Sequence, residues 1–315
     1  MMNLEYDLSI IIPAYNAKNT IETTLNSIKN QKLSILFEVV IVNDCSNYNY
    51  KEYIDKYNKY FNIREINTEV NSGPGVSRQL GIDNTRSKYI LFIDSDDCFY
   101  NEKSISKMYN NIKKENYDLL IGNFIMKTGL IDKKMYKDLI WLHGKMYKRS
   151  FLEKYNIKFN DTRANEDNGF NRLILFMNPK IIYLNEFVYI YNNNINSITR
   201  KDNNLYDFIG IQGFCYNMTW AINEAIFRGK KKDDFGIFSL DIMLTLYVYY
   251  FKFKNKYDVR KIFAWGSEIK KIYDSTKENI TKKVYEEMLN KKRMQFIWSF
   301  PNDSEISFEK FLSMF

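Results

Sequence analysis

Tyr89-Ile90-Leu91-Phe92-Ile93-Asp94-Ser95-Asp96-Asp97 is an apolar run that ends directly in a cluster of carboxylates. A near-continuous branched and aromatic run is what a β-strand covered on both faces requires. In open α/β sheets, ligands collect beyond the carboxyl ends of the strands, which is where this cluster falls. The same pattern recurs on either side. Ser9-Ile10-Ile11-Ile12 leads into Pro13-Ala14-Tyr15-Asn16, and Val39-Val40-Ile41-Val42 leads into Asn43-Asp44-Cys45-Ser46. Amphipathic stretches at Thr20–Lys29, Tyr50–Tyr60, Pro74–Asn84 and Glu102–Glu115 separate these runs, with further strands expected at Ile63–Ile66 and Leu119–Phe124. Alternation of this kind predicts an α/β fold with a doubly wound, mostly parallel sheet and flanking helices. Three polar loops then converge on one sheet edge.

Past residue 130 the rhythm changes to a mixed segment (Leu139–Asn171), a hairpin or strand pair (Ile181–Tyr191) and a polar loop (Asn192–Asn196). From Leu205 the periodicity is helical, with Phe208, Ile211, Gln212 and Cys215 on one face, followed by Ile237–Phe253, Val259–Ile272 and Val284–Ile297. The expected organisation is a sheet domain over 1–200 and a helical C-terminal region over 201–315. With 45% hydrophobic, 17% aromatic and 27% charged residues, the 315-residue chain is unlike a disordered one. Its net charge of +8 is spread along the sequence. That balance suits nucleic acid, an anionic membrane face or phosphate-bearing small molecules and does not choose among them. Three cysteines without a CxxC pair suggest neither a disulfide framework nor a zinc site. The run Leu8–Ile12 is too short for a signal peptide, and Ile237–Phe253, interrupted by Asp241 and Lys252, reads as a buried helix. A cytoplasmic protein is expected, with contact at the inner face of the membrane left open. Basic and aromatic residues between Arg228 and Lys254 would supply that contact, or else form a solvated face above an aromatic core stripe.

Carboxylates crowded at a strand end repel one another, and a divalent cation relieves that repulsion. Hard oxygen donors suit Mg2+ or Mn2+. Taken alone, Asp94–Asp97 reads equally as an acidic turn capping the next helix. The segment Asn71-Ser72-Gly73-Pro74-Gly75-Val76-Ser77-Arg78 opens a helix with glycines around a proline. It would offer free backbone amides and a helix dipole to phosphate, with Arg78 one turn inside. Taken alone, it is also an ordinary capped helix with a surface arginine.

Taken together, Ile10–Asn16, Val40–Ser46, Asn71–Gly81 and Asp94–Asp97 resemble, in order and spacing, glycosyltransferase family 2, the inverting GT-A enzymes, over roughly residues 8–200. The resemblance implies a nucleotide-sugar site made of Pro13, Ala14, Tyr15, Asn16, Asp44, Asn71, Gly73, Arg78, Asp94, Ser95 and Arg200. Within it Ala14, Tyr15 and Asp44 would hold the base, usually uracil, and Asp94 the ribose side. Asp96 would bind the metal. Asp167 would be the catalytic base with Glu166 beside it, and Lys145 a structural or donor-contact residue. Asn165 stands where the family often has glycine. His143, the only histidine, is not assigned to the metal. The implied reaction is transfer with inversion from a nucleoside-diphosphate sugar, with a UDP-sugar expected, to a hydroxyl of a surface polysaccharide, teichoic acid or glycolipid. An α-linked donor would give a β-linked product, with residues 1–200 as the GT-A catalytic domain and the helical region 201–315 as an acceptor or interaction module. Glycosylation of modified nucleic acid, nucleotidyl transfer and non-catalytic nucleic-acid binding are the alternatives carried forward, while the oligomeric state is left open.

Overall fold

The computed structural model describes residues 5–194, 205–296, 300–301 and 306–315. Contacts divide the chain into two units, Met1–Ser197 and Ile198–Phe315.

In the first unit, the apolar runs become strands and the amphipathic stretches become helices. Their order is β1 (Tyr6–Ala14), α1 (Ile21–Lys29), β2 (Phe37–Asn43), α2 (Lys51–Tyr57), β3 (Asn62–Asn67), α3 (Pro74–Asp83), β4 (Ser87–Phe92), β5 (Cys98–Phe99), α4 (Ser104–Lys114) and β6 (Leu119–Met126). There follow β7 (Lys133–Met135), β8 (Lys145–Lys148), α5 (Arg149–Lys154), α6 (Glu166–Phe176) and β9 (Ile181–Tyr191). The helices dock through the faces that their periodicity marks out: Ile21, Thr24, Leu25 and Ile28 on α1, and Ile105, Met108, Tyr109 and Ile112 on α4, are buried.

The strands form one sheet in the order β3-β2-β1-β4-β8-β6-β9-β5, with β7 on β6. It is mixed, with its longest pairings parallel. Parallel pairing joins β1 to β2 and β4, β2 to β3 and β6 to β9. Antiparallel pairing joins β8 to β4 and β6, β5 to β9 and β7 to β6. The change comes from β8, which inserts antiparallel between β4 and β6. Ile181–Tyr191, expected to be a hairpin or strand pair, is a single strand. Its register against β6 slips around Asn123, where Gly122 faces Leu184 and Asn123 faces Phe187. Residues Asn185 and Glu186 fall in that irregularity, and their polarity is what made the segment look broken. Pro13 and Ala14, expected in a loop, end β1 opposite Val42 and Asn43. Pro13 lies beyond the last β1–β4 pair, Ile11 with Phe92, so its missing N–H breaks no bond on that side.

The second unit contains α7 (Leu205–Phe227), α8 (Gly236–Phe253), α9 (Arg260–Thr276), α10 (Lys282–Gln295) and α11 (Phe308–Leu312). Its core is aromatic: Phe208 stacks on Tyr257 at 4.7 Å, and Tyr247 meets Phe308 and Phe311 at 5.4 and 5.3 Å. Among the described residues, one helix, Lys232–Phe253, is long and apolar enough to cross a membrane. Much of it is core, since Leu240, Ile242, Met243, Leu244, Leu246 and Val248 are buried. Tyr249, Tyr250 and Phe251, weighed above for a membrane face, instead meet Phe296, Phe311 and Tyr247 within this unit.

Candidate active site

The loops after β1, β2 and β4 meet at one sheet edge, as their strand order requires. The first two are bonded together, since Asn16 N–H donates to Ser46 Oγ at 2.9 Å. Tyr15 stands 51% exposed at the rim. Asp44 is buried, and its carboxylate is nearly spent on its own loops. Oδ1 accepts from Thr68 Oγ1 at 2.9 Å and Ser72 N–H at 2.8 Å, and Oδ2 accepts from Gly73 N–H at 2.8 Å. Three of about four lone-pair positions are thus occupied, leaving room for one further donor. Asp44 also anchors the segment that opens α3. Gly73, at φ 89°, caps that helix in a conformation that glycine adopts at little cost, and Pro74 begins it. Asn71 belongs to the same loop, its Nδ2 donating to the Asp44 carbonyl at 3.5 Å.

Arg78 is buried and ties three elements together. Nη2 donates to Asp94 Oδ1 at 2.8 Å and Nη1 to Glu166 Oε1 at 2.9 Å. Burial disfavours its charge, but Asp94 and Glu166 outweigh burial and hold the guanidinium ionised. Burial likewise opposes the charge on Asp94, and the field of Arg78, followed by His143, overcomes it and keeps that carboxyl below the usual range. The sequence assigned Arg78 to phosphate; the structure gives both ends of its fork to carboxylates.

Glu166 and Asp167 open α6. Asn165, just before them, lies in the left-handed region at φ 61° and ψ 17°. Asparagine tolerates this region better than other residues with a β-carbon, so it can stand at this position in place of glycine. Glu166 approaches α3 so closely that a β-carbon on Gly75 would lie 2.9 Å from its Cγ. Asp167 is half-buried. Among the described residues its carboxylate accepts from the N–H of its neighbour Asn168 at 2.7 Å. Burial and then the Glu166 charge push its pKa up to about 7.

The acidic loop folds back on itself. Asp97 is wholly buried, accepting from Tyr189 Oη at 2.6 Å and Asn192 N–H at 2.8 Å. Asp96 is half-buried and accepts from Asn194 Nδ2 at 2.7 Å, with Ser95 beside it. His143, stacked on Tyr189 at 4.8 Å, points Nε2 at Asp94 (3.6 Å) and Asp97 (3.8 Å). Ligand atoms of Asp94, Asp97 and His143 lie within 4.8 Å of one another, a donor set that could hold a divalent cation. The sequence reading missed His143 and Asp97 here. Only the placement of β8 beside β4 brings His143 to the loop. Lys145, on β8, is buried with its ammonium on the Trp141 carbonyl and 3.5 Å from Asp138; burial pushes its pKa down to about 8 against the pull of Asp138. Arg200 lies outside the described residues.

The model of the family described as Glycosyl transferase family 2 matches residues 9–165, which contain the three loops, Arg78, the acidic loop and His143. The chain belongs to glycosyltransferase family 2. Relatives within the family include the poly(ribitol-phosphate) beta-N-acetylglucosaminyltransferase TarP of Staphylococcus aureus, 28% identical over 55% of this chain and 58% of that protein. The poly(ribitol-phosphate) beta-glucosyltransferase of Bacillus spizizenii is 30% identical over 58% of this chain and 32% of that protein. The chain therefore spans from about a third to three fifths of the length of these curated relatives. Residues 1–349 of S. aureus TarS, whose crystal structure covers 92% of each chain at a TM-score of 0.70 and 18% identity, share its fold, which is GT-A with a helical region after it. TarS has also been solved with UDP-GlcNAc, at a TM-score of 0.69.

Proposed function

We propose that this family 2 chain is an inverting glycosyltransferase that moves a sugar from a UDP-sugar to a hydroxyl of a polyol-phosphate polymer of the teichoic-acid type. A cytoplasmic location belongs to the same proposal. The observation that carries it is the chain Asp94–Arg78–Glu166, which places the acidic loop and the Glu166-Asp167 pair around one guanidinium. Poly(ribitol-phosphate) as the acceptor is suggested by the names of TarP and its Bacillus counterpart, and UDP-GlcNAc as a donor by its presence in a TarS crystal.

Asp167 has the attributes of the base. Among the described residues it makes no ion pair, and a pKa near neutrality lets it take a proton and release it again at working pH. Its proton would come from the acceptor hydroxyl, whose oxygen attacks the anomeric carbon as the bond to the diphosphate breaks on the opposite face. An α-linked donor then gives a β-linked product, the configuration printed in the relatives' names. Glu166, fixed by Arg78, orients the segment that carries Asp167. Asp44 and the amides of the loop before α3 hold the nucleotide end, with Tyr15 at the rim. A divalent cation, Mn2+ or Mg2+, fits the oxygen-rich loop. Asp96, Asp94, Asp97 and His143 are the residues to hold it, and it would neutralise charge on the departing diphosphate.

The test is UDP release from a panel of UDP-sugars with Mn2+, Mg2+ or EDTA, with and without poly(ribitol-phosphate), beside Asp96→Ala and Asp167→Asn. Release that needs metal and acceptor and is lost in both variants supports the reading. Absence of UDP binding by calorimetry in the presence of either metal overturns it.

A further inference from the structure

The hairpin between β6 and β7 holds two large aliphatic side chains out in water. Leu130 is 97% exposed and Ile131 is 79% exposed. This tip is built rather than ragged. Thr128 Oγ1 donates to the Ile131 carbonyl at 2.7 Å and accepts from its N–H at 3.3 Å, while Lys127 pairs with Asp132 at 2.6 Å. Gly129 supplies the left-handed residue at φ 86°. Folding gains little from either aliphatic, and their adjacency on an ordered turn makes an apolar tip suited to meeting another surface.

Along the hairpin itself the charge is one-sided. Lys133, Lys134 and Lys137 follow it, and the one acid between Lys127 and Lys137, Asp132, is already paired. Amphipathic rings lie behind these lysines: Tyr136 is 57% and Tyr183 44% exposed, with Lys137 over the Tyr183 ring at 5.7 Å. An apolar tip flanked by tyrosines and ammonium groups offers the three kinds of group that suit a bilayer surface: aliphatics for acyl chains, rings for the interfacial zone and ammonium groups for phosphates.

We infer that this hairpin docks on an anionic phospholipid surface, with Leu130 and Ile131 entering the acyl boundary and Lys133, Lys134 and Lys137 meeting headgroup phosphates. A soluble polyanion would engage the lysines equally well but would leave both aliphatics in water, and so accounts for only half of the surface. The hairpin also adjoins the catalytic edge. A β-carbon on Gly129 would lie 2.9 Å from Asn193 Nδ2, and the residues flanking Asn193 bond to the Asp96 backbone and carboxylate. Docking would thus bring the acidic loop beside the lipid surface, suiting an acceptor carried on a lipid. The docking itself does not rest on the transfer reading, and the following experiment involves no turnover.

The full chain is sedimented with vesicles of phosphatidylcholine alone or with a third of phosphatidylglycerol, at low and high salt. It is compared with the pairs Leu130→Asp/Ile131→Asp, Leu130→Phe/Ile131→Phe and Lys133→Gln/Lys134→Gln, each checked by circular dichroism. The wild type should bind the anionic vesicles, with affinity falling at least tenfold in the aspartate pair and about 25-fold in the glutamine pair, at about fivefold for each lysine near a charged membrane. The phenylalanine pair should bind at least as tightly as the wild type, which keeps the test open if the aspartate pair unfolds. The inference is overturned if the wild type stays in the supernatant, if the phenylalanine pair binds more weakly, or if a folded aspartate pair binds like the wild type; the last outcome would assign the lysines to a soluble polyanion instead.

Discussion

Glu166 and Asp167 are sequence neighbours with opposite surroundings. Glu166 is buried against Arg78, whereas Asp167 makes no ion pair among the described residues, and burial pushes its pKa to about 7 against the weaker pull of Arg78. If Asp167 is the base, turnover should rise with pH through about 7, because only the carboxylate accepts a proton. Below that, kcat/KM should fall about tenfold per unit. A profile flat from pH 5 to 8 would remove Asp167 from the role. Stability should run the other way: a carboxyl whose folded pKa is raised binds more protons than the unfolded chain, so its contribution is present at acid pH and lost as pH rises through about 7. Arg78 offers a second test. Arg78→Ala leaves Asp94 and Glu166 buried without their shared cation and should cost about 3–5 kcal/mol, read by denaturant unfolding. Arg78→Lys should keep part of the stability but lose most turnover, since a single ammonium cannot reproduce the two-armed fork. At Asn165 the backbone decides. Glycine should be tolerated with near-normal turnover, whereas valine at φ 61° should cost about 1–2 kcal/mol and displace the base.

At the scale of elements, what was legible depended on whether a segment's burial showed in its polarity. β1, β2 and β4 were readable because the runs Ile10–Ile12, Val39–Val42 and Tyr89–Phe92 within them are apolar and buried on both faces. β8 was not, since Lys-Met-Tyr-Lys shows no strand pattern and Lys145 is buried despite its charge. That omission hid His143, whose place beside Asp94 follows from β8 lying between β4 and β6. The Glu166-Asp167 pair was found through resemblance, but its link to Arg78 crosses from α6 to α3 and leaves no trace in local sequence. The contact between those helices makes Gly75 a sharp probe. Gly75→Ala should drive Glu166 off its position, lowering kcat at least tenfold while UDP affinity, measured by calorimetry, changes little. A matching loss in UDP binding would show that Gly75 serves the nucleotide loop instead. His143→Ala should weaken Mn2+ binding by tenfold or more if the cluster with Asp94 and Asp97 holds the cation. Unchanged Mn2+ affinity would return the site to Asp96 alone.

At the scale of the whole chain, the two units have separate cores. The described cluster running from Leu8 to Tyr189 is made of residues of the sheet unit, and the stacks of Phe208 on Tyr257 and Tyr247 on Phe308 join residues of the helical one. A unit with its own core is the usual criterion for independent folding, so a fragment of residues 1–197 should melt cooperatively by itself. The fragment retains Asp44, Arg78, the acidic loop and Asp167 but lacks Arg200, which the sequence resemblance gives to the diphosphate. Hydrogen bonds to charged groups contribute about 1.5–3 kcal/mol, so losing that contact should weaken UDP binding by about tenfold or more. The comparison that isolates Arg200 is the full chain carrying Arg200→Ala. If Arg200 is the only donor contact beyond residue 197, fragment and variant should lose UDP affinity by the same factor in calorimetry. A folded fragment that binds UDP like the full chain would remove Arg200 from the site. A fragment weakened far beyond Arg200→Ala would give the helical unit a donor-binding role of its own, in place of the acceptor or interaction role expected from the sequence.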